Sequence, residues 1–138
     1  MISVEYEVRL LISRSSNIGK KNYDILLDML NNCSLLTKSI ISEIETYYSK
    51  NLRFNNKRNQ LESKTKLLTI DTPYKEFNIR FCKSTEEIKH EKISGYEKKF
   101  IREKHRIRFI HEYWHIDLTH IINTNTYELE IEINNTSG

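Results

Sequence analysis

The sequence has few of the residues that break or cross-link a small domain: its 138 residues include one proline, three glycines and two cysteines. Two cysteines far apart make neither a disulfide framework nor a zinc site with four cysteine ligands. We therefore expect Cys33 and Cys82 to be reduced, partly buried thiols in a cytosol-like compartment. No apolar run is long enough to span a bilayer, and Met1 leads straight into a charged segment rather than a signal peptide. We expect a soluble, intracellular protein without a membrane partner.

Two common catalytic motifs are also missing. Neither the Gly-x-x-x-x-Gly-Lys of a P-loop nor the Gly-x-Ser-x-Gly of a serine hydrolase occurs, which leaves both chemistries without support. Charge, in contrast, is abundant: 30% of the residues are charged and 38% are hydrophobic, with a net charge of +3. So many charges in a short chain either stay outside or are partly enclosed in a functional site. The net charge permits a polyanionic partner without requiring one.

Alternation of apolar and polar residues, which is typical of β-strands, dominates the sequence. It predicts strands over residues 4–10, 40–48, 51–56, 63–70, 76–83, 100–110, 115–121 and 127–133, with turns near 49–50 and 57–59 and a loop over 89–97. We expect Pro73 to break the pattern. Antiparallel strands in this number favour a barrel, because closure removes exposed edges. The predicted fold is all-β (β-rich α+β), an eight-stranded antiparallel closed barrel with one or two packing helices.

One amphipathic helix interrupts the strands. Within residues 20–32, Tyr23, Leu26, Leu27 and Leu30 fall at i, i+3, i+4 and i+7, so they form a single apolar stripe. This stripe needs an apolar surface to cover, and we expect it to pack against the outside of the barrel. The length of the chain predicts a single domain over residues 1–138.

Two strands carry rows of carboxylates. Glu128, Glu130 and Glu132 share one face of the last predicted strand. Glu5 and Glu7 share one face of the first in the same way. Such a row is either a solvated outer face or a cation site. If the barrel closes between its first and last strands, these carboxylates converge, and their mutual repulsion is costly without a cation. Hard oxygen ligands favour Mg²⁺ or Mn²⁺ over zinc.

A further strand has the opposite charge: Arg102, Lys104, Arg106 and Arg108 share one face. Alone, this row fits a solvated edge, a nucleic-acid-binding stripe or a phosphate cradle. Together with the acidic strands it suggests a polar lumen and an apolar exterior. That arrangement is inside out for a small soluble barrel, whose lumen is normally filled by apolar side chains. A lumen that holds a metal ion and a polyphosphate would explain all three strands.

Aromatic and histidine side chains offer weaker signals. Trp114, Tyr47 and Tyr48 have rings that suit stacking on RNA bases, but outward packing against the helix is the interpretation we favour. His111 and His115 are four residues apart, which is a metal-ligand spacing on a helix. They lie on either side of an expected turn, so we do not predict a zinc site there.

Four motifs, taken in order, resemble those of the triphosphate tunnel metalloenzymes, and most closely the RNA triphosphatases of fungal and large-DNA-virus mRNA capping systems. They are Glu-x-Glu-x-Arg at Glu5, Glu7 and Arg9, Arg-x-Lys-x-Arg at Arg102, Lys104 and Arg106, Asp-x-Thr at Asp117 and Thr119, and Glu-x-Glu-x-Glu at Glu128, Glu130 and Glu132. The resemblance spans nearly the whole chain. It implies an eight-stranded antiparallel barrel around a hydrophilic tunnel.

The resemblance also implies roles for individual residues. The metal-binding positions, for Mn²⁺ or Mg²⁺, are Glu5, Glu7, Glu128, Glu130 and Glu132. The phosphate-binding positions are Arg9, Arg53, Lys64, Arg102, Lys104, Arg106, Asp117 and Thr119. The catalytic positions are Arg102, Lys104, Arg106 and Glu86, the last of which is expected to orient the attacking water. Lys66 is an alternative to Lys64, and Glu87 is an alternative to Glu86.

The implied function is that of a metal-dependent polynucleotide 5′-phosphatase, which removes the γ-phosphate from 5′-triphosphate RNA as the first step of mRNA capping. A guanylyltransferase domain or subunit is an implied partner, since larger relatives continue into one and this chain would then be an amino-terminal part. The enzyme would act in the cytoplasm, the nucleus, or a viral factory or virion. Two alternatives stay open: a tunnel hydrolase of small triphosphates (thiamine triphosphate, tripolyphosphate or a nucleotide), and a non-enzymatic RNA-binding barrel whose basic strand faces outwards.

Overall fold

Eight antiparallel strands and one helix make up the described part of the chain, which in this computed structural model comprises residues 2–15 and 17–133. The elements are β1 (Ile2–Ile12), α1 (Gly19–Asn31), β2 (Thr37–Tyr48), β3 (Leu52–Asn55), β4 (Gln60–Tyr74), β5 (Phe77–Lys89), β6 (Lys98–Ile110), β7 (Trp114–Ile121) and β8 (Thr126–Ile133). The strands form a closed barrel in the order β1-β5-β4-β3-β2-β6-β7-β8. The predicted fold class is therefore confirmed.

The barrel closes where its first strand meets its last. β1 pairs with β5 along its whole length and with β8 through a shorter ladder, in which Glu7 lies opposite Glu132 and Arg9 lies opposite Glu130. Because facing residues on paired strands point to the same side of the sheet, the acidic rows of both strands enter the lumen together. The expected pairing of the two acidic strands is thus present.

The apolar core lies outside the barrel, between α1 and the outer surface of β6, β7 and β8. Its buried residues are Ile18, Tyr23, Ile107, Phe109, Leu118 and Leu129. The Tyr23 ring packs on the Tyr127 ring at 4.9 Å between centroids, as expected for the apolar stripe of the helix. A lumen full of charges cannot supply the hydrophobic burial that folding needs, so the helix supplies it on the other face. No helix within residues 2–15 and 17–133 is long and apolar enough to cross a membrane.

Asparagine replaces glycine in several of the turns. Asn51, Asn59 and Asn125 have positive φ angles of 59°, 52° and 52° at the ends of hairpins. Asparagine tolerates the left-handed region better than most residues, which is how a chain with three glycines makes this many tight turns. The turns predicted near 49–50 and 57–59 are present.

The expectation that Pro73 breaks the strand pattern is wrong. β4 continues through it to Tyr74, and Pro73 lies opposite Asn78 beside the β4–β5 turn. The ladder between β3 and β4 ends at Ser63, so Pro73 lies far from the only other strand that pairs with β4 in the described residues. A missing N–H is tolerated at such an edge. A register shift between Lys66 and Leu68 also changes which residues of β4 face inwards.

Candidate active site: a charged tunnel

Charged side chains of opposite sign fill the centre of the barrel. Eight carboxylates line this central lumen: Glu5, Glu7, Glu43, Glu45, Glu86, Asp117, Glu130 and Glu132. Seven cations line it with them: Arg9, Arg53, Arg58, Lys64, Lys104, Arg106 and Arg108. His115 completes the wall. The lumen is therefore close to neutral although it is crowded with charge, and any added anion has to displace existing ion pairs or bring its own counter-ion.

The acidic side of the lumen is formed by β1 and β8. Arg9 lies within it: its Nε is 2.6 Å from Glu7 Oε1, and its Nη2 is 3.3 Å from Glu130 Oε1. The ammonium of Lys64, on β4, is 3.3 Å from Glu5 Oε2. These two cations offset only part of the repulsion between the clustered carboxylates. The remaining repulsion contributes to the raised pKa values of Glu5 and Glu7.

Two of the carboxyls have raised pKa values. Burial, followed by the charge of Glu132, raises the pKa of Glu5 to about 8. Burial and the neighbouring Glu130 likewise raise the pKa of Glu7. Glu130 goes the other way: burial alone would raise its pKa, but Arg9 and a hydrogen bond donated by Glu7 hold it below the usual value. The surroundings of these acids therefore favour binding of a proton, and the same surroundings would favour a cation of higher charge.

The chemistry of these donors fits a divalent cation. All are hard oxygen ligands, and one oxygen of the buried Glu128, Oε1, has no hydrogen-bond partner among the described residues. Its other oxygen lies 3.5 Å from Arg9. As the side chains stand, no three histidine, cysteine or acidic groups of residues 2–15 and 17–133 converge closely enough to hold an ion. Binding a cation would require the acids to lose their protons and to release Arg9 and Lys64.

The basic side of the lumen is formed by β6, which is tied to its neighbours β2 and β7. Lys104 is buried in an ion pair with Glu45 of β2. Arg106 lies between the two neighbouring strands, with its Nη1 3.2 Å from Glu43 and its Nε 3.6 Å from Asp117. The cations of β6 thus point into the lumen in fixed positions, which excludes the alternative of a barrel whose basic strand faces outwards.

Asp117 and Thr119 occupy the adjoining wall on β7. Asp117 accepts two hydrogen bonds from Arg108, of 2.8 and 3.0 Å, in a bidentate pair. Thr119 is fully buried, and its hydroxyl oxygen accepts a hydrogen bond of 3.4 Å from Arg106 Nε. Both residues accept hydrogen bonds from arginines of β6, so in this structure they help to position those arginines.

Arg53 of β3 points into the lumen and links β3 to β4 and β5. It donates hydrogen bonds to Glu62 of β4 at 2.8 Å and to Glu86 of β5 at 2.6 Å. Glu86 therefore faces inwards, whereas Glu87 lies on the outer surface, where it pairs with Lys89 at 3.2 Å. Of the two registers considered from the sequence, the geometry selects Glu86. Lys64 and Lys66 both face the lumen, Lys64 beside the acids and Lys66 nearer one end.

Several lumen residues escaped the sequence prediction. Glu43 and Glu45 alternate within a predicted strand just as Glu5 and Glu7 do, so the same period-two criterion would have found them. Glu62 lies one residue before the predicted start of its strand, although it alternates at period two with Lys64 and Lys66. His115 shares the inward face with Asp117, and its Nε2 is 3.5 Å from Glu132. Tyr47, expected to pack outwards against the helix, instead faces the lumen, and that expectation is wrong.

Comparison with known proteins agrees with this geometry. The RNA triphosphatase Pct1 of S. pombe, in a complex with the Spt5 CTD, has a similar fold, with a TM-score of 0.76 and 18% identity over 96% of this chain and 72% of that one. The RNA triphosphatase domain of the trifunctional mimivirus mRNA capping enzyme aligns with a TM-score of 0.63 and 16% identity, over 96% and 80%. A comparison with curated protein sequences gave no match.

At identities this low, the solved structures establish the fold alone. The family evidence comes from the sequence: residues 23–137 match the family described as mRNA capping enzyme, beta chain. This match covers most of the chain, including all of β2 to β8, and it agrees with the closed barrel and its charged lumen. The chain therefore belongs to the mRNA capping enzyme beta chain family, the RNA triphosphatases.

Proposed function

We propose that this protein removes the γ-phosphate from the 5′-triphosphate end of RNA, with Mn²⁺ or Mg²⁺ bound by Glu5, Glu7, Glu128, Glu130 and Glu132. The observation that carries the proposal is the enclosed lumen, in which the carboxylates of β1 and β8 lie across from the cations of β6. Oxygen ligands of this kind select hard cations, and both metals qualify.

The charge balance of the lumen supports a metal requirement. In the centre of the lumen, eight carboxylates and seven cations nearly cancel, so a triphosphate bound there brings several negative charges for which the centre has little surplus positive charge. A bound divalent cation would supply this missing positive charge and act as a Lewis acid and template at the phosphates. Deprotonation of Glu5 and Glu7 would then be favoured, since the cation takes the place of their protons.

The basic residues of the chain would bind and orient the phosphates. Lys104 and Arg106 project from one strand at the centre of the lumen, and Arg102 projects from the same strand towards one end. Arg53 faces them from β3. Their charges would stabilise the negative charge that redistributes as the phosphoanhydride bond breaks. Because Glu43, Glu45 and Asp117 already hold Lys104, Arg106 and Arg53 in place, these three cations need little reorganisation when the phosphates arrive. Arg9, Lys64 and Thr119 would complete the contacts to the phosphates.

Glu86 is proposed to orient the attacking water. It lines the lumen, its carboxylate is fixed by Arg53 at 2.6 Å, and it lies close enough to Glu5 to influence that residue's pKa. A carboxylate in this position would accept a hydrogen bond from water and direct it along the line of the breaking bond. The water attacks phosphorus directly, the bond to the bridging oxygen breaks, and inorganic phosphate leaves an RNA with a diphosphate end.

The place of the protein in capping follows from the proposed product. A diphosphate end is the acceptor that a guanylyltransferase needs, so a guanylyltransferase domain or subunit is the proposed partner. We propose that residues 1–138 form a single triphosphate-tunnel domain, which would also serve as the amino-terminal part of a longer capping enzyme.

The decisive assay measures phosphate release from γ-labelled triphosphate RNA, with Mn²⁺, with Mg²⁺ and with EDTA. Release that requires a divalent cation is the expected result. Thiamine triphosphate, tripolyphosphate and a nucleoside triphosphate serve as competing substrates in the same assay. Hydrolysis of these small triphosphates together with inert RNA ends would replace the proposed substrate, and release in EDTA would refute the metal requirement.

A further inference from the structure

One end of the lumen differs from the centre in its charge. We call it the basic mouth and define it by Lys66, Arg80, Arg102, Tyr47 and Phe100. The cavity at this end is continuous with the centre, since Glu7, Arg9, Arg53 and Lys64 line both. Six cations and a single carboxylate line the mouth cavity, in contrast with the balanced centre: Arg9, Arg53, Lys64, Lys66, Arg80 and Arg102, with Glu7.

Two of these cations lack a counter-ion. Within residues 2–15 and 17–133, neither Lys66 nor Arg102 forms an ion pair, whereas Lys104 and Arg106, deeper in the lumen, each contact a carboxylate. Arg80 is paired with Asp71 at 2.8 Å, but this pair is solvent-exposed and weak. The end of the tunnel thus presents positive charge that the protein itself does not neutralise. That is the electrostatic property of a surface that binds a polyanion.

An aromatic pair lies beside Arg102, and one of its rings, Tyr47, lines the same cavity as Lys66. Tyr47 of β2 and Phe100 of β6 are backbone partners, and their rings stack at 4.6 Å between centroids with 16° between planes. The guanidinium of Arg102 lies over both rings, at 5.5 and 5.8 Å. The hydroxyl of Tyr47 donates a hydrogen bond of 3.1 Å to Glu45, which fixes the orientation of its ring. The phenyl ring of Phe100 nevertheless remains 50% exposed.

A half-exposed phenyl ring at a charged opening contributes little to folding, because the hydrophobic core lies on the other face of the sheet. It does provide what a nucleobase requires: a flat apolar surface that is held rigidly and flanked by arginine. Stacking on such a surface tolerates any base, while neighbouring cations attract the sugar-phosphate backbone. This combination of unpaired cations with an aromatic surface suits single-stranded nucleic acid better than a small inorganic anion, which has no base to stack.

We infer that the basic mouth is the end through which RNA enters, and that the first bases of the chain stack on Phe100 while Lys66 and Arg102 bind the adjoining phosphates. The inference rests on the proposed function and specifies its substrate: a single strand of at least a few nucleotides rather than a free triphosphate. The triphosphate end then reaches the centre through the cavity that Arg9, Arg53 and Lys64 share between both regions. Base stacking on Phe100 involves none of the side chains proposed for hydrolysis, so hydrolysis and base recognition respond differently to a mutation of Phe100.

The test compares substrates with and without bases. Wild-type protein and Phe100→Ala are assayed with Mn²⁺ on inorganic tripolyphosphate and on a trinucleotide RNA with a 5′-triphosphate. We expect the ratio of kcat/KM for RNA to that for tripolyphosphate to fall about tenfold in Phe100→Ala, through KM, since base stacking is lost. Phe100→Trp should restore the ratio because it keeps a flat ring. Tyr113→Ala is the control, because Tyr113 is a 60% exposed aromatic residue in the β6–β7 turn. This variant should leave the ratio of kcat/KM values unchanged.

Each other outcome has a definite meaning. An unchanged ratio in Phe100→Ala, or an equal loss with both substrates, would overturn the role of the basic mouth while leaving the proposed RNA triphosphatase activity intact. Wild-type protein that cleaves tripolyphosphate but not triphosphate RNA would instead overturn the proposed function. To check that the variant is folded, its melting temperature is compared with that of the wild type.

Discussion

Arg9 and Glu130 are backbone partners across the β1–β8 seam, and their side chains meet inside the lumen at 3.3 Å. Arg9 also contacts Glu7 and Glu128, so one guanidinium holds three carboxylates that come from both ends of the chain. Closure of the barrel creates this contact, because neither strand alone brings the acids together. The seam that completes the fold is therefore also the place where the proposed cation would bind.

Replacement of Glu130 by alanine should abolish hydrolysis and leave the fold intact. Glu130 is buried beside Glu7 in the acidic cluster, and Arg9 keeps two other carboxylate partners in the variant. We expect kcat at saturating Mn²⁺ to fall by about a hundredfold or more, as is usual when a group that supports transition-state charge is removed. The measurement is phosphate release from triphosphate RNA, with circular dichroism to verify the fold.

The matched control for this variant is Glu87→Ala. Glu87 is a strand glutamate on the outer face of β5, paired only with Lys89 among the described residues, so its loss should leave turnover unchanged. Unchanged turnover in Glu130→Ala would remove the assignment of β8 as a metal-binding strand. A loss in Glu87→Ala of similar size would show that the assay reports on general damage to the barrel.

Metal and polyphosphate should each stabilise the protein against heat. A ligand that binds only the native state adds RT ln(1 + [L]/Kd), so Mn²⁺ at about a hundred times its Kd contributes roughly 2.7 kcal/mol. Tripolyphosphate added with Mn²⁺ should raise the melting temperature further, through Lys104 and Arg106. The measurement is thermal unfolding in EDTA, in Mn²⁺ and in Mn²⁺ with tripolyphosphate. Three coincident curves would mean that the lumen binds neither ligand.

The barrel and its polarity could be predicted from the sequence because their signals are local. Glu5 and Glu7 alternate with apolar residues, Arg106 and Arg108 alternate with Ile107 and Phe109, and period-two alternation assigns each row to one face of a strand. The number of antiparallel strands then predicted closure into a barrel, and the resemblance in motif order implied the same fold. The charged faces were predicted to point inwards because a lumen that holds a metal ion and a polyphosphate explains the acidic rows and the basic row together.

The contacts between strands could not be predicted, because they depend on register. Glu45 meets Lys104 and Arg53 only through the alignment of β2 with β6 and β3, and a shift of one residue would separate them. The change of register near Lys66 has no sequence signal either. The prediction for Pro73 was wrong because the sequence shows only that its backbone N–H is absent. Whether a strand tolerates this absence depends on whether a neighbouring strand needs that N–H for a hydrogen bond.

Loss of Glu45 should destabilise the protein more than loss of an exposed acid. Its carboxylate is almost fully buried, and it is a partner of both Lys104 and Arg53. Removing one partner of a buried ion pair leaves an uncompensated charge, which typically costs about 3–5 kcal/mol. We expect Glu45→Ala to lower the free energy of unfolding by about that amount in urea titrations. The exposed Glu97, 3.6 Å from Lys99, is the control, and Glu97→Ala should have no measurable effect.

The stability of the metal-free protein should fall as pH rises from about 4.5 to about 8. Burial and the charge of Glu132 raise the pKa of Glu5 from 4.5 to about 8, so in this interval the folded protein binds a proton that the unfolded chain has lost. Stability declines with pH wherever the folded state binds more protons. Glu7, whose pKa burial and Glu130 also raise, acts in the same direction. Glu45 does not act in this direction. Burial would raise its pKa, but Lys104 and Arg53 outweigh burial and lower the pKa from 4.5 to about 2. Its contribution to stability is therefore complete about one pH unit above 4.5 and constant at higher pH.

Thermal unfolding in EDTA between pH 5 and pH 8.5 tests this prediction. The wild-type melting temperature should decrease across the interval, and the decrease should be smaller in Glu5→Gln, which cannot ionise at that position. Mn²⁺ should reverse the trend, because the cation competes with protons for the same carboxylates and binds more tightly as they are lost. A wild-type melting temperature that rises from pH 5 to pH 8.5 in EDTA would show that Glu5 and Glu7 are ionised in the folded protein. The acidic cluster would then be neutralised by Arg9 and Lys64 alone, and the case for a cation among these carboxylates would lose its electrostatic basis.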